Sequence, residues 1–295
     1  MSESEKPAPM DNPVYRYLDE LPKEYRISDF HMRSGSPLAV RVNGEIQIMQ
    51  DCPITHDMLE GVFRHELGQE LYDIFDEKKD VDFAITVNGA RFRANGYHTL
   101  NGWGLICRTI VTEVPNIDQL GLPPAVHSVL GEKKGLVLVT GPTGSGKSTS
   151  LASMINKINR ERAEHIITIE DPVEFVHSEI KSIISQREVG RDTVSFASAL
   201  KGALREDPDI LLLGEMRDYE TISLALTAAE TGHLVFGTLH TSGAAETINR
   251  IIDAFPAEEQ PQARSMVASS LQLVMTQQLL KRKSGGRIGA FEVMV

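Results

Sequence analysis

Eight consecutive residues, Gly141-Pro-Thr-Gly-Ser-Gly-Lys-Ser148, carry the types that bind phosphate in the order Gly-x-x-x-x-Gly-Lys-Ser. Gly141, Gly144 and Gly146 let the backbone curl so that successive N–H groups face one phosphate, with Pro142, Thr143 and Ser145 completing the loop. Lys147 can reach the β- and γ-phosphates. The hydroxyl of Ser148, which Thr149 follows, is placed to ligate the Mg²⁺ that bridges them. The chemistry specified is nucleotide binding.

Such a loop works only between a strand and a helix, and the flanking residues supply both. Gly135-Leu-Val-Leu-Val139 reads as a buried strand, while Leu151, Met154, Ile155 and Ile158 repeat at helical spacing over about 146–160. The helix start adds its positive end to the loop amides. Further strand-like runs at 166–169, 210–213 and 234–238 alternate with helical ones at 196–204, 219–230 and 244–254. That alternation predicts an α/β domain, a parallel sheet with helices on both faces. A further helix from 261 to about 280 and a strand over 287–293 close the sequence.

In an open parallel sheet the ligand lies beyond the carboxyl ends of the strands. The run Ile210-Leu-Leu-Leu-Gly-Glu215 exits in an acid that would hold Mg²⁺ through water, position the attacking water, or pair with Arg217. Ile166-Ile-Thr-Ile169 exits into Glu170-Asp-Pro-Val-Glu174, and either glutamate could orient water against the leaving phosphate. His233 and His240 bracket one short strand, which puts His240 on the ligand side.

The preceding hundred residues have a different rhythm. Residues 1–12 read as a disordered start, and 13–114 as a smaller α+β domain on an antiparallel sheet. Its hairpins turn at Asn43-Gly44 and Asn88-Gly89, and residues 55–79 form one or two amphipathic helices. Residues 115–124, with three prolines and a glycine, read as a linker to a domain spanning 125–295.

Composition narrows the partners. A net charge of −11 over 295 residues argues against nucleic acid, which needs a basic surface, and Lys281-Arg-Lys283 reads as a solvated turn. No apolar run is long enough to cross a bilayer and no signal-peptide core opens the chain, so a cytoplasmic protein is expected. Cys52 and Cys107 lack metal-type spacing and read as small core residues.

Taken together, five ordered stretches resemble the Walker A, Asp box, Walker B and His box of the secretion ATPases. They are Thr140 to Thr149, Thr168-Ile-Glu-Asp-Pro-Val-Glu-Phe175, Leu204-Arg-Glu-Asp-Pro-Asp209, Gly214-Glu-Met-Arg-Asp218, and Thr231-Gly-His233 with Gly237-Thr-Leu-His-Thr241. Type IV pilus retraction motors are the nearest branch. Ser28-Asp-Phe-His31, Gly35-x-Pro37 and Arg41-x-x-Gly44 extend the likeness into the first domain.

The resemblance implies a RecA-like ATPase domain after a PAS-like one, working on ATP with Mg²⁺. It makes Glu174 the catalytic base, Glu215 the Walker B acid that shares the metal with Ser148, and His233 and His240 γ-phosphate sensors. It also implies a homo-hexamer whose sites are completed by arginines of a neighbouring copy. Arg91, Arg93 and Arg108 of the first domain are the candidates, with Arg205, Arg217 and Arg250 as alternatives. The implied role is pilus retraction by rotation of one domain against the other, at the cytoplasmic face of the inner membrane. There it would act on a platform protein, with a paralogous retraction ATPase as a further partner.

Rival readings are an accessory retraction ATPase and an extension or secretion ATPase. Those last relatives carry a longer amino-terminal region and a four-cysteine module, neither of which this sequence shows. A nucleotide-gated scaffold with negligible hydrolysis is the rival of another class. Family members continue past the position of Val295 into a helical region with a motif of the Ala-Ile-Arg-Asn-Leu-Ile-Arg-Glu kind, which this sequence is expected to lack.

Overall fold

A computed structural model describes residues 11–25, 27–42, 44–110, 114–283 and 286–295. The chain divides into two compact units, Met1–Thr112 and Glu113–Val295. Of the residues read as a disordered start, 1–10 lie outside the described residues, whereas Asn12 caps the first helix by accepting from the Val14 amide.

The first unit holds α1 (Pro13–Glu24), β1 (Ile27–Arg33), β2 (Ser36–Val42), β3 (Glu45–Ile54), α2 (His56–Glu66), α3 (Gly68–Lys78), β4 (Asp80–Val87), β5 (Ala90–Thr99) and β6 (Gly102–Ile110). Its six strands form one antiparallel sheet in the order β3-β2-β1-β6-β5-β4. Period-two alternation sorts each strand: Phe30, Phe92, Ala94 and Cys107 enter a core with Val14, Leu18, Leu59 and Phe63 of the helices. The opposite face carries charge, with Arg93 directly across from Arg108 and Arg108 across from Asp29. Asn88 and Gly89 both take positive φ, 47° and 83°, as the favoured two-residue hairpin turn requires. The other expected turn falls on Asn43, outside the described residues, and Gly44.

The second unit continues with α4 (Ile117–Leu120), α5 (Pro124–Val129), β7 (Gly135–Thr140), α6 (Lys147–Glu161), β8 (His165–Glu170), β9 (Ile183–Glu188), α7 (Phe196–Ala203), β10 (Ile210–Leu213), α8 (Tyr219–Glu230), β11 (Leu234–Leu239), α9 (Ala244–Asp253), α10 (Gln260–Ser270), β12 (Leu271–Lys281) and β13 (Arg287–Met294). Seven strands form a sheet in the order β13-β12-β7-β11-β10-β8-β9, parallel except for the edge strand β13. Leu136 and Leu138 of β7 pack with residues of α7 to α10 on one face. Val137 and Val139 pack with α5 and α6 on the other. This is the RecA-like α/β arrangement, with the core split by the sheet.

Two segments differ from their sequence reading. Residues 115–124, read as a linker, fold onto the second unit because Asn116 and Gln119 make a capping box and Ile117 and Leu122 are buried. Residues 261–280, read as one helix, are a helix that ends at Ser270 and then strand β12. The apolar spacing of Val267, Leu271 and Val274 suits a helix, and no Gly or Pro marks the break. Pairing with both β7 and β13 overrides the local preference. Among the described residues no helix is long and apolar enough to cross a membrane.

Candidate active site

Because β7, β11, β10 and β8 run parallel, the segments that leave them gather at one edge of the sheet. The phosphate-binding loop leaves β7 through Gly141, Gly144 and Gly146, whose φ values of 136°, 77° and 91° are open to glycine at little cost. A side chain at Gly141 would also strike the Gln277 carbonyl and come within 2.9 Å of Ser145 Oγ. Lys147 Nζ lies across this loop, donating to the carbonyls of Gly141 at 2.8 Å and Pro142 at 3.1 Å. Burial lowers the pKa of its amine, against the opposing pull of Glu215 and Glu174.

The exit of β8 separates the two glutamates that the sequence left open. Ser148 Oγ donates to Glu174 Oε1 at 2.8 Å, and Glu174 is exposed to the cleft. Glu170 is turned inward instead, its Oε1 accepting from Thr168 Oγ1 at 2.6 Å and from Gln186 Nε2 at 3.3 Å. Burial raises the pKa of Glu170, against the hydrogen bonds that favour its charged form.

The exit of β10 carries Glu215. Its Oε1 meets Arg217 Nε at 2.5 Å and His240 Nε2 at 3.2 Å, so the expected pairing with Arg217 and a place at the ligand edge hold together. Burial works against the Glu215 charge, but Arg217 and His240 outweigh it and hold the carboxyl below its ordinary range. The strands that bring these groups together are laced at their ends. Thr238 Oγ1 donates to the Gly214 carbonyl, and the Met216 amide donates to the Thr238 carbonyl at 3.0 Å. One cleft is lined by Ser148, Glu170, Glu174, Glu215, Thr238 and His177. His177 was not foreseen; its Nδ1 is buried without a hydrogen-bond partner, and burial pushes its pKa down to about 4.

Two expected site residues lie elsewhere. His233 precedes β11, accepts at its carbonyl from the Gly135 amide at the start of β7, and places Nδ1 at 3.0 Å from the Ala228 carbonyl. Arg205 follows α7 and leads into the start of β10. Both therefore sit at the amino-terminal edge of the sheet, a strand length from the loop, and within this chain neither reaches the site. Arg250 is exposed on α9. In the first unit Arg108 Nε donates to Asp29 Oδ1 at 2.8 Å, Arg93 Nη2 lies 3.9 Å from Asp82 Oδ2, and Arg91 shares the Arg93 face.

The glycine cradle, Lys147 and the Ser148 hydroxyl fit a nucleotide with Mg²⁺. Among the described residues no three His, Cys, Asp or Glu side chains cluster as metal ligands. Mg²⁺ in phosphate sites leans on a hydroxyl or carboxylate, waters and the phosphates themselves, so Ser148 with Glu215 nearby is a suitable donor set. The type II/IV secretion system protein family matches residues 69–286. The chain belongs to that family. It is an ATP-hydrolysing enzyme that uses ATP with Mg²⁺.

Individual relatives agree. The type IV pilus retraction ATPase PilT of Pseudomonas aeruginosa is 49% identical over 269 residues, covering 91% of this chain and 78% of its own. A twitching motility protein of Neisseria gonorrhoeae is 48% identical over 258 residues, 87% of this chain and 69% of its own. A crystal structure of the pilus retraction motor PilT with bound ADP superposes with a TM-score of 0.88 at 46% identity. It covers 95% of this chain and 82% of that one.

Proposed function

We propose that this secretion-family ATPase is a pilus retraction motor that works as a homo-hexamer at the cytoplasmic face of the inner membrane. ATP hydrolysis would drive rotation between its two units against a membrane platform protein, alone or with a paralogous retraction ATPase. The observation that supports the catalytic part is the 2.8 Å hydrogen bond from Ser148 to Glu174, which brings one carboxylate of the β8 exit against the phosphate-binding loop's own serine. Ser148 with Glu215 would hold Mg²⁺, which would supply neutralisation of charge on the phosphate oxygens.

The protein's own groups divide the remaining work. Lys147 releases the Gly141 and Pro142 carbonyls and turns its ammonium to the β- and γ-phosphates. Glu174 orients water and takes its proton. Glu215, kept ionised by Arg217 and His240, fixes the imidazole of His240 facing the cleft as a γ-phosphate sensor. Arginines of a neighbouring copy, Arg91, Arg93 and Arg108 first among them, would complete the charge balance.

An arginine supplied in trans is worth about 10³–10⁵ in turnover, so specific activity should rise with assembly. Phosphate release measured across protein concentration, with oligomer size followed in parallel, checks this. Equal specific activity in monomer and hexamer fractions contradicts it. Mixing Lys147→Ala with Arg108→Ala protomers should restore part of the activity each lacks alone.

A further inference from the structure

Strand β12 does more than extend the sheet. Its Thr276 Oγ1 meets Thr140 Oγ1 at 2.8 Å, so β12 is fastened to β7 at the last residue before the phosphate-binding loop. The next residue, Gln277, is 3% exposed and spans the junction between that loop and α6. Gln277 Nε2 donates to the Ser145 carbonyl at 2.8 Å, and Gln277 Oε1 accepts from Ser150 Oγ at 2.8 Å. The Ser145 carbonyl can only accept, which fixes the amide nitrogen on the loop side and the oxygen on the helix side. The Gln277 backbone closes against Gly141, and its Nε2 would lie 2.7 Å from a Cβ at Gly146.

The junction needs a brace from outside. Gly146 occupies the N-cap position with φ 91° and offers no side chain to tie down the first turn. Lys147 and Ser148 follow immediately, so the direction of both functional groups depends on how loop and helix meet there. A buried amide that makes both of its bonds is rigid, and leaving the Ser145 carbonyl unpaired would carry the full desolvation penalty.

We infer that Gln277 is a positioning residue for nucleotide binding. It acts from β12 through Ser145 and Ser150 to hold the phosphate-binding loop and the first turn of α6 in the binding geometry. The inference rests on the P-loop being the nucleotide site.

The test uses the full chain, Mg²⁺ and a fluorescent ADP analogue, with steady-state ATP turnover measured beside it. Gln277→Met keeps the volume and removes both hydrogen bonds; its dissociation constant should rise about tenfold, and KM for ATP should rise in step while kcat changes less. Gln277→Glu keeps the acceptor for Ser150 but turns an anionic oxygen to the Ser145 carbonyl, and should bind more weakly still. Ser150→Ala removes one arm and should weaken binding about threefold. Adding it to Gln277→Met should cost nothing more, because both changes break the same link.

A brace that serves folding alone would lower the melting temperature and leave the affinity of the folded variant unchanged. Gln277→Met binding within twofold of wild type overturns the inference. Should that variant not fold, Ser150→Ala decides, and unchanged affinity there overturns it equally. Lys147→Ala is the companion control: if it binds as tightly as wild type, the P-loop reading itself has failed and the brace falls with it.

Discussion

Glu215 and His240 sit 3.2 Å apart at the ends of two adjacent parallel strands, with Arg217 on the same carboxylate oxygen. A strand-end acid, an imidazole and a guanidinium thus form one charged unit beside the phosphate-binding loop. Burial alone would push Glu215 toward its neutral form, and Arg217 and His240 decide the balance in favour of the carboxylate.

Arg217→Ala should therefore act through protonation. The wild-type carboxyl is held below its ordinary range, so an acidic limb due to Glu215 falls at low pH, with activity lost as pH drops through that value. Without Arg217 the limb should move to higher pH, so the loss of turnover should be largest on the acidic side and small at neutral pH. A pH–rate profile checks it. An arginine that served only a neighbour's nucleotide would lower kcat and leave the limb where it was.

Gly141→Ala should abolish tight nucleotide binding. The added Cβ meets the Gln277 carbonyl on a backbone at φ 136°, a conformation that costs an alanine ~1–3 kcal/mol before any clash is counted. Neither the loop nor central strand β12 can shift freely to accommodate it. Titration with a fluorescent ADP analogue should show at least about a tenfold loss; near wild-type affinity would mean the loop is softer than its packing indicates.

His177 gives the second unit an acid-sensitive point. Burial depresses its pKa from 6.5 to about 4, so the folded state holds it neutral while the unfolded chain takes up a proton. The stability this confers is fully present above pH 6.5 and is lost as pH falls toward about 4. His177→Gln should flatten that part of the stability curve by up to about 3 kcal/mol, read from denaturant unfolding at several pH values. An unchanged slope would assign the acid sensitivity to other groups.

The part of the site written in consecutive residues was legible without a structure. The loop from Gly141 to Ser148 and the acid of Ile210-Leu-Leu-Leu-Gly-Glu215 announce themselves by spacing, because strand, turn and helix each leave a local mark. The choice between Glu170 and Glu174 was not legible from the residues alone. It depends on Thr168 and Gln186 turning one carboxylate inward while Ser148 meets the other. Gln277 was hidden for a different reason. Its segment continues the helical spacing of α10 across an unmarked break, and only its pairing with β7 on one side and β13 on the other makes it a strand. His233 shows the converse limit, since motif membership gave it a sensor role while strand polarity puts it at the far edge of the sheet.

The most direct test of the account is steady-state phosphate release by wild type and Glu174→Ala, with ADP binding measured on the same preparations. If Glu174 is the proposed base, its removal should lower turnover by about 10²–10⁴-fold while nucleotide affinity stays within about threefold of wild type, because a base would act on water and not on the bound phosphates. A Glu174→Ala variant that still hydrolyses ATP at close to the wild-type rate would contradict it. The 2.8 Å contact with Ser148 would then be structural, and the water would be activated by another group.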